Sequence, residues 1–188
     1  MPAVTGKVPV RCPACGIERE AELVQSINAR TDPDAKARLL AGELNVLICN
    51  CGRRTPLAAT VVYVDPLGDF YCQVVTRPDG MTKAVAAYRQ AGATGTRRIV
   101  TSQNALVEKV KILDARLLDW AIELMKVSVG DALFDRSDEH ELHWLVRDRV
   151  IRGVTTPRVE YDQLAALTPP PADAYVIDRA WALRHLPS

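Results

Sequence analysis

Four cysteines at two separate places in the chain have the spacing of metal ligands. Cys12 and Cys15 form Cys-Pro-Ala-Cys followed by glycine, and Cys49 and Cys51 form Cys-Asn-Cys followed by glycine. Two thiolates so close in sequence bind one soft cation, because the backbone between them folds into a tight turn and the glycine lets the chain leave with a positive φ. Two such pairs supply the four sulfur ligands that zinc takes in structural sites. The sequence therefore predicts a structural Zn2+ ion bound by these four cysteines.

Buried thiols and a dithiol redox couple are the alternatives for the same cysteines. A redox Cys-x-x-Cys of the thioredoxin kind lies where a strand meets a helix. Here the first pair follows residues 8–11 and leads into residues 17–27, which have the pattern of a strand. Two clusters also suit one metal ion better than one dithiol switch, so the metal site is the favoured interpretation.

The composition is ordinary for a globular protein, with 48% hydrophobic and 25% charged residues. Lysine and arginine total 24 against 23 acidic residues, and this balance argues against a surface built to neutralise phosphates or anionic lipid. No apolar run approaches the roughly 20 residues that span a bilayer. Residues 1–7 have no signal-peptide pattern, and five cysteines fit poorly with a secreted disulfide framework. The expected compartment is the cytoplasm, with no membrane contact.

Short strands and one short helix are predicted around the cysteine pairs. Residues 17–28 partly alternate apolar and polar side chains, as a half-buried strand does. Asp32 and Pro33 predict the start of a helix over residues 34–40, with Asp32 as its N-cap. Residues 44–48 read as a strand that carries the second pair. A strand–helix–strand insertion thus separates the two halves of the predicted metal site.

The clearest hairpin is formed by residues 60–64 and 70–75, which are apolar and joined by a five-residue connection containing proline and glycine. Cys72 lies inside its second strand, on the same face as Phe70 and Val74. A lone cysteine among apolar neighbours is usually a small core residue. The alternative for Cys72 is a substitute metal ligand, needed where the shorter second pair delivers only one sulfur.

Two amphipathic helices follow a break at residues 77–98. The break contains a proline, three glycines and a predicted short helix over residues 81–90, and it is either a packed loop or a connection between lobes. The helices are joined by residues 114–116, so they are expected to fold back on each other. Their predicted apolar residues are Leu106, Val107, Val110 and Leu113 in the first helix and Leu117, Leu118, Ala121, Ile122, Leu124, Met125 and Val129 in the second.

The C-terminal part reads as a strand and a final helix. Residues 141–149 alternate in the manner of a strand, and residues 159–161 look like a strand end. Three consecutive prolines at residues 169–171 form a stiff tether. Residues 173–186 carry an apolar helical face, which Trp181 is expected to anchor.

His140 and His143 are the candidates for a second metal site or a general base, since Glu139 and Glu141 lie beside them. On a strand, however, positions three apart point to opposite faces, and the pattern His-Glu-x-x-His is absent. Solvated polar residues are the favoured interpretation.

Motifs for nucleotide and nucleic-acid binding are weak or missing. No P-loop, no Gly-x-Gly-x-x-Gly and no Gly-x-Ser-x-Gly occurs. Arg53 and Arg54 after the second pair could contact phosphates, but acidic residues share that region and no aromatic residues interleave. Nucleic acid is therefore an unlikely partner.

The cysteine pairs do not stand alone, because the segments between and after them also form a recognisable pattern. The segments concerned are residues 11–16, 26–28, 39–45, 49–52, 63–65, 106–110 and 118–119. Over roughly residues 8–129 the chain resembles the bacterial CpXC domain family. The resemblance implies paired knuckles and a zinc-ribbon-like element, and it implies no reaction. The chain departs from the pattern at its second pair, where Cys-Asn-Cys replaces Cys-x-x-Cys.

The predicted fold class is α+β. We expect an N-terminal β-rich zinc-ribbon-like domain with a hairpin extension over residues 1–76 and a connecting segment over residues 77–100. Residues 101–188 are expected to form a helical hairpin with a small β/α portion and a C-terminal helix.

Three function classes are compatible with this reading. The leading hypothesis is a zinc-stabilised cytosolic bacterial binding or scaffold protein that contacts another protein and is able to self-associate through strand edges. The alternative is an enzyme or enzyme-accessory protein with a site between the ribbon and the helical lobe, using His140 or His143 as general base. The third class is a nucleic-acid-binding zinc ribbon.

Overall fold

The protein is described by a computed structural model covering residues 4–92 and 94–186. It is a mixed α+β protein, as predicted, in which helices and strands follow one another along the whole chain. The chain divides into two compact units, Met1–Asn104 and Ala105–Ser188. The predicted division into a domain of residues 1–76, a connecting segment of residues 77–100 and a lobe of residues 101–188 stays a prediction, which expression of truncated chains would test.

The first unit holds three small sheets and two helices. Its elements are β1 (Thr5–Arg11), β2 (Glu18–Val24), β3 (Ser26–Asn28), α1 (Pro33–Leu40), β4 (Val46–Ile48), β5 (Arg54–Pro56), β6 (Val62–Asp65), β7 (Phe70–Val74), α2 (Pro78–Gln90) and β8 (Thr96–Val100). Strands β1 and β2 form one antiparallel hairpin, and β4 and β5 form another. The third sheet has the order β3-β6-β7-β8. The pairing of β6 with β7 is antiparallel, which confirms the predicted hairpin.

The predicted break contains regular structure that extends the third sheet. Helix α2 follows β7, and β8 then pairs with β7 in the parallel direction, so these elements form a β–α–β crossover. Tyr88 of α2 is buried and meets Tyr71 of β7 edge to face, with ring centroids 5.5 Å apart. The predicted short helix at residues 81–90 therefore exists and begins earlier, at Pro78.

The second unit packs helices on one three-stranded sheet. Helix α3 (Gln103–Asp114) crosses the boundary, and it is followed by α4 (Asp119–Val129), β9 (Ala132–Ser137), β10 (Glu141–Arg147), β11 (Ile151–Pro157), α5 (Arg158–Ala165) and α6 (Arg179–Arg184). The sheet has the order β11-β10-β9, with both pairings antiparallel. Its core contains Phe134 and Trp144, which meet edge to face at 5.9 Å, together with Trp120, Tyr161 and Trp181.

Three local predictions need correction. Residues 159–161 lie in α5 and not in a strand, because β11 ends at Pro157, which is the N-cap of the helix. The C-terminal helix is limited to Arg179–Arg184, where Asp178 caps it by accepting the N–H of Trp181. Asp32 occupies the N-cap position of α1, but its carboxylate accepts the N–H of Asn28 at 3.1 Å and caps no helical N–H.

Candidate metal centre

The four predicted cysteines come together at the tips of two hairpins. Cys12 and Cys15 lie in the turn between β1 and β2, and Cys49 and Cys51 lie in the turn between β4 and β5. Their sulfur atoms all lie within 4.8 Å of one another. The cysteines are free thiols, so no disulfide holds the two turns together.

The first knuckle, residues 12–16, is closed by two backbone hydrogen bonds. The N–H of Cys12 donates to the carbonyl of Ile17 at 3.0 Å, and the N–H of Gly16 donates to the carbonyl of Cys12 at 2.9 Å. Gly16 has a φ of 72°, a left-handed conformation that glycine adopts without steric cost. The backbone N–H groups of Ala14 and Cys15 point at the sulfur of Cys12. The predicted role of the glycine is therefore confirmed.

The second knuckle, residues 49–52, repeats this frame with one residue fewer. The N–H of Cys49 donates to the carbonyl of Arg53 at 2.9 Å, and the N–H of Gly52 donates to the carbonyl of Cys49 at 2.9 Å. Gly52 has a φ of 84°. The shorter Cys-Asn-Cys spacing therefore builds the same kind of turn and delivers both of its sulfurs to the cluster.

The two knuckles meet in a crossed arrangement. The sulfur of Cys12 lies 3.7 Å from that of Cys51, and the sulfur of Cys15 lies 3.6 Å from that of Cys49. The first cysteine of each knuckle is buried, whereas the second is exposed. Each buried sulfur thus faces an exposed sulfur of the other knuckle, so the cluster has one protected side and one side open to solvent.

Three thiols of the cluster have shifted pKa values, and the shifts differ in direction. Hydrogen bonds from the backbone N–H groups of Cys15 and Ala14 lower the pKa of Cys12 to about 6. The N–H of Cys51 likewise lowers the pKa of Cys49. The N–H of Ile17 favours the thiolate of Cys15, but the neighbouring sulfurs, led by Cys49, and burial outweigh it and raise the pKa of Cys15 to about 11. Four thiolates cannot all be charged side by side without a counter-cation, and a metal ion would provide one.

The sulfur positions fit a tetrahedral ion. Zinc–sulfur bonds of about 2.3 Å require ligand atoms about 3.8 Å apart. The two crossed distances of 3.7 Å and 3.6 Å are close to this value. A cluster of four sulfurs with no oxygen or nitrogen among its ligands selects soft cations such as Zn2+. The four cysteines are therefore compatible with a metal site.

Asn45 connects the second hairpin to the first, and sequence analysis gave it no role. Its side-chain Oδ1 accepts the N–H of Val24 at 2.7 Å, and its Nδ2 donates to the carbonyl of Val24 at 3.0 Å. Its own carbonyl accepts the N–H of Leu57 at 2.8 Å. Asn45 is 2% exposed and has a φ of 53°. The residue thereby joins the end of β2 to the segments that flank β4 and β5.

Residues 10–126 match a family model described as CpXC protein, and this range is more than half of the chain. The chain belongs to the CpXC family. Comparison with curated proteins and with solved structures gives no match. The matched range includes both knuckles, the third sheet and α3, and it ends inside α4, so the sheet β9–β11 and helices α5 and α6 lie beyond it.

Cys72 of this CpXC protein is a core residue of the third sheet. It is 0% exposed, and its strand β7 buries Phe70, Cys72 and Val74 on one face. It is not among the four cysteines whose sulfurs converge. The structure thus favours the core interpretation of Cys72 over a substitute ligand.

His140 and His143, the candidates for a second metal site or a general base, do not share one site in this CpXC protein, because His140 is not among the side chains that converge with His143. His143 lies on β10 with its Nε2 2.8 Å from Oδ2 of Asp138, whereas His140 contributes its backbone N–H to Oδ1 of Asp138 at 2.9 Å. The N–H of Glu141 donates to the same Oδ1. Together the His143 side chain and these two N–H groups hold the pKa of Asp138 well below its usual range. Asp138, Glu141 and His143 offer ligand atoms within 4.8 Å of one another, but both oxygens of Asp138 are already engaged.

None of the helices in the described part of the chain combines the length and the apolarity that a bilayer crossing requires. Of the two arginines that follow the second knuckle, Arg54 lies 3.7 Å from the carboxylate of Glu43, and both side chains are exposed.

Proposed function

We propose that this CpXC protein is a protein-binding or scaffold protein whose N-terminal ribbon is stabilised by one structural zinc ion. The observation that carries the proposal is the convergence of four sulfurs from two knuckles. Four protein ligands fill every position of a tetrahedral ion, and this closure distinguishes structural zinc from catalytic zinc, which keeps one position open for water or substrate.

The ion would act through the two hairpins that carry its ligands. When bound, zinc would supply bonds to Cys12, Cys15, Cys49 and Cys51 and so hold the two hairpin tips together. The two ligand pairs lie more than 30 residues apart in the chain. Binding of one ion by both pairs would therefore close a long loop that contains β2, β3, α1 and β4. Metal binding and folding of the first unit are then coupled.

Two cavities of the described residues bear on the choice between a binding protein and an enzyme. In the second unit a groove of about 350 Å³ lies on α4 and α5 and is lined mainly by Leu124, Met125, Val127, Leu164 and Leu186, with Ser128 and Glu160 as its polar groups. In the first unit a cavity of about 140 Å³ lies beside Asp65, Asp69, Tyr71 and Arg97. Neither His140 nor His143 lines these two cavities, so neither brings a histidine base to an enclosed substrate.

The cysteines support a reducing compartment for the proposed function. A site of four thiolates requires reduced cysteines, and thiolate ligands persist most readily in the cytoplasm. We therefore place the protein in the bacterial cytoplasm as part of the proposal, with self-association as a property that light scattering would measure.

Metal analysis combined with affinity purification tests the proposed function. The full chain is purified without added chelator, and its zinc content is measured; one zinc ion per chain is expected. The metal-loaded chain and a chelator-treated sample are then compared as baits in an extract of the native host. A partner protein that is retained by the loaded chain and lost from the treated chain supports the proposal. Absence of zinc, or the same proteins on both baits, contradicts it.

A contact of 2.8 Å between His143 Nε2 and Asp138 Oδ2 favours an enzyme as second candidate. A carboxylate that orients an imidazole is half of a general-base arrangement. Replacing His143 with alanine is expected to leave the fold and partner binding intact. A hydrolytic turnover of the wild-type chain that disappears in His143→Ala would favour the enzyme.

A further inference from the structure

The two edge strands of the sheet β11-β10-β9 differ in what lies against them. At the β9 edge, the N–H of Phe134 donates to Oε1 of Glu108 at 2.7 Å, and Lys111 of α3 lies 2.8 Å from Oδ1 of Asp135. Side chains of α3 therefore cover this edge. At the other edge, β11 pairs with β10 alone among the strands that the structure describes. Since N–H and C=O groups point alternately to either side of a strand, half of those of β11 face away from β10.

Exposed arginines lie at the tip of the hairpin that leads into this open edge. Arg147, Arg149 and Arg152 surround the turn between β10 and β11, and all three are exposed. No ion pair joins any of them to a carboxylate within residues 4–92 and 94–186. Asp148 is the single acidic residue in the turn, so the tip carries an excess of positive charge.

Apolar side chains stand between these arginines. Val150 is 71% exposed and Ile151 is 72% exposed. Two β-branched residues at such exposure are costly to leave in water and are suited to pack against the side chains of an added strand. The unpaired edge of β11, the arginines of the preceding turn and the apolar pair Val150 and Ile151 are adjacent in the chain. One extended ligand would therefore contact all three.

We propose that β11 and the arginine-rich turn before it bind an extended acidic segment of a partner protein, which adds to the sheet as a fourth strand. Backbone hydrogen bonds from β11 would provide affinity without sequence preference, as in other strand-addition complexes. Successive strand residues point to opposite faces, so Arg152 would select acidic side chains on one face of the added strand and Ile151 would contact apolar side chains on the other. Arg149 and Val150, in the turn, would add to these contacts at its end. The inference rests on the proposed function as a binding protein and names the partner chemistry.

A second copy of the chain fits this edge less well. Strand β11, Ile151–Pro157, contains no acidic residue, so a second β11 paired with this edge would offer no carboxylate to Arg152. An acidic strand meets complementary charge at this position, which is why we commit to an acidic partner segment.

Fluorescence anisotropy with synthetic peptides tests the inference on the full chain as purified, whatever its metal content. The probe is a fluorescein-labelled peptide of alternating glutamate and valine, and its charge-reversed control alternates lysine and valine. We expect binding of the glutamate peptide that weakens as salt is raised, and no binding of the lysine peptide. Two further glutamate peptides carry N-methyl groups either on every glutamate amide or on every valine amide. One of these should lose binding and the other should keep it, because only one edge of an added strand faces β11.

Charge-reversal variants locate the site. Arg149→Glu combined with Arg152→Glu is expected to weaken binding of the glutamate peptide roughly tenfold or more, given two lost attractions and two new repulsions. The matched control is Arg30→Glu combined with Lys83→Glu, which changes net charge equally at exposed positions of the first unit and should change affinity by less than about twofold. Val150→Ser combined with Ile151→Ser should weaken binding without changing its salt dependence.

Several results would overturn the inference. These are absence of glutamate-peptide binding, equal binding of both N-methylated peptides, or equal loss in the two charge-reversal variants. Tighter binding of a 20-nucleotide single-stranded oligothymidylate than of the glutamate peptide would assign the turn to nucleic acid instead. Neither zinc content nor recovery of a partner from extract enters these measurements. A failed peptide experiment would therefore leave the proposed function standing, and failure of the proposed function would leave the peptide experiment interpretable.

Discussion

Lys109 and Asp119 form an ion pair inside the second unit. Nζ of Lys109 lies 3.0 Å from Oδ2 of Asp119, and the two side chains are 3% and 9% exposed. The same ammonium group donates to Oε1 of Glu123 at 3.1 Å, and Lys126 links Glu123 to Glu108 through contacts of 3.1 Å and 3.0 Å. Burial opposes the charge of Lys109, but the attraction of Asp119 and Glu123 outweighs it and raises the pKa of Lys109. Helices α3 and α4 are therefore joined by a buried network of five charges.

Replacing Lys109 with methionine is expected to lower the free energy of unfolding by about 3–5 kcal/mol, because it removes the buried ammonium group that the carboxylates of Asp119 and Glu123 share and leaves Lys126 as the neighbouring cation of Glu123. Urea denaturation of the full chain, followed by circular dichroism, measures this loss. The matched control is Lys111→Met in the same helix, whose partner Asp135 is about 30% exposed. That variant should cost at most about 1 kcal/mol. Equal losses for the two variants would contradict the buried network.

Replacing Cys15 with serine is expected to abolish zinc binding and to unfold the first unit, because three sulfurs cannot close the tetrahedral site that couples metal binding to folding. Replacing Cys12 should have the same effect. Zinc content and thermal unfolding of the purified chain check both results. The control is Cys72→Ser, which should keep one zinc ion per chain, with only the modest cost of a hydroxyl in the core of the third sheet. Zinc loss in Cys72→Ser, or unchanged stability in Cys15→Ser, would contradict the assignment of the ligands.

The two knuckles of the cysteine cluster could be predicted from sequence because the geometry of each is encoded locally. Each knuckle is a short run of two cysteines and a glycine, and the backbone bonds that shape it join residues at most five positions apart. The hairpin of β6 and β7 was predictable for the same reason, since its turn carries proline and glycine.

Features that depend on distant residues could not be predicted in this way. Glu108 and Lys109 read as the polar side of an amphipathic helix, yet both are buried, because their partners lie on α4 and β9. Val159 and Tyr161 have high strand propensity, but Tyr161 packs into the core of the second unit and its hydroxyl accepts the N–H of Leu118 at 2.9 Å. Tertiary packing overrides local propensity at such positions.

The ionised carboxylate of Asp138 should stabilise the folded chain by an amount that depends on pH. Its pKa is depressed in the folded protein, first by His143 and then by the N–H groups of His140 and Glu141. The charged form is therefore favoured by folding, and its contribution is fully present above the unfolded pKa of about 3.9 and is lost as the pH falls toward the folded value. Asp138→Asn keeps an acceptor for the two N–H groups but removes the charge.

The measurement is the difference in unfolding free energy between the wild-type chain and Asp138→Asn across pH. We expect the difference to shrink below about pH 4 and to be smaller at high salt, because Asp138 is exposed. The carboxyl resonance of Asp138 should titrate closer to its ordinary pKa in His143→Ala than in the wild-type chain. A difference that grows as the pH falls would contradict the hydrogen-bonded carboxylate.

Asn45 should contribute to stability through both its side chain and its backbone, and two variants separate these contributions. Asn45→Gly keeps the left-handed backbone at no steric cost but removes the two hydrogen bonds to Val24, leaving buried backbone groups unsatisfied at a cost of about 1–3 kcal/mol. Asn45→Ala loses the same bonds and adds the strain of a positive φ, which costs a further 1–2 kcal/mol or so. Thermal and urea unfolding of the zinc-loaded chains measure both losses.

Because Asn45 fixes the segment leading into the second knuckle, both variants should also release zinc to a competing chelator faster than the wild-type chain. Equal stability of Asn45→Ala and Asn45→Gly would show that the backbone at this position is not held in the left-handed conformation, and unchanged zinc release would show that the knuckle is positioned without it.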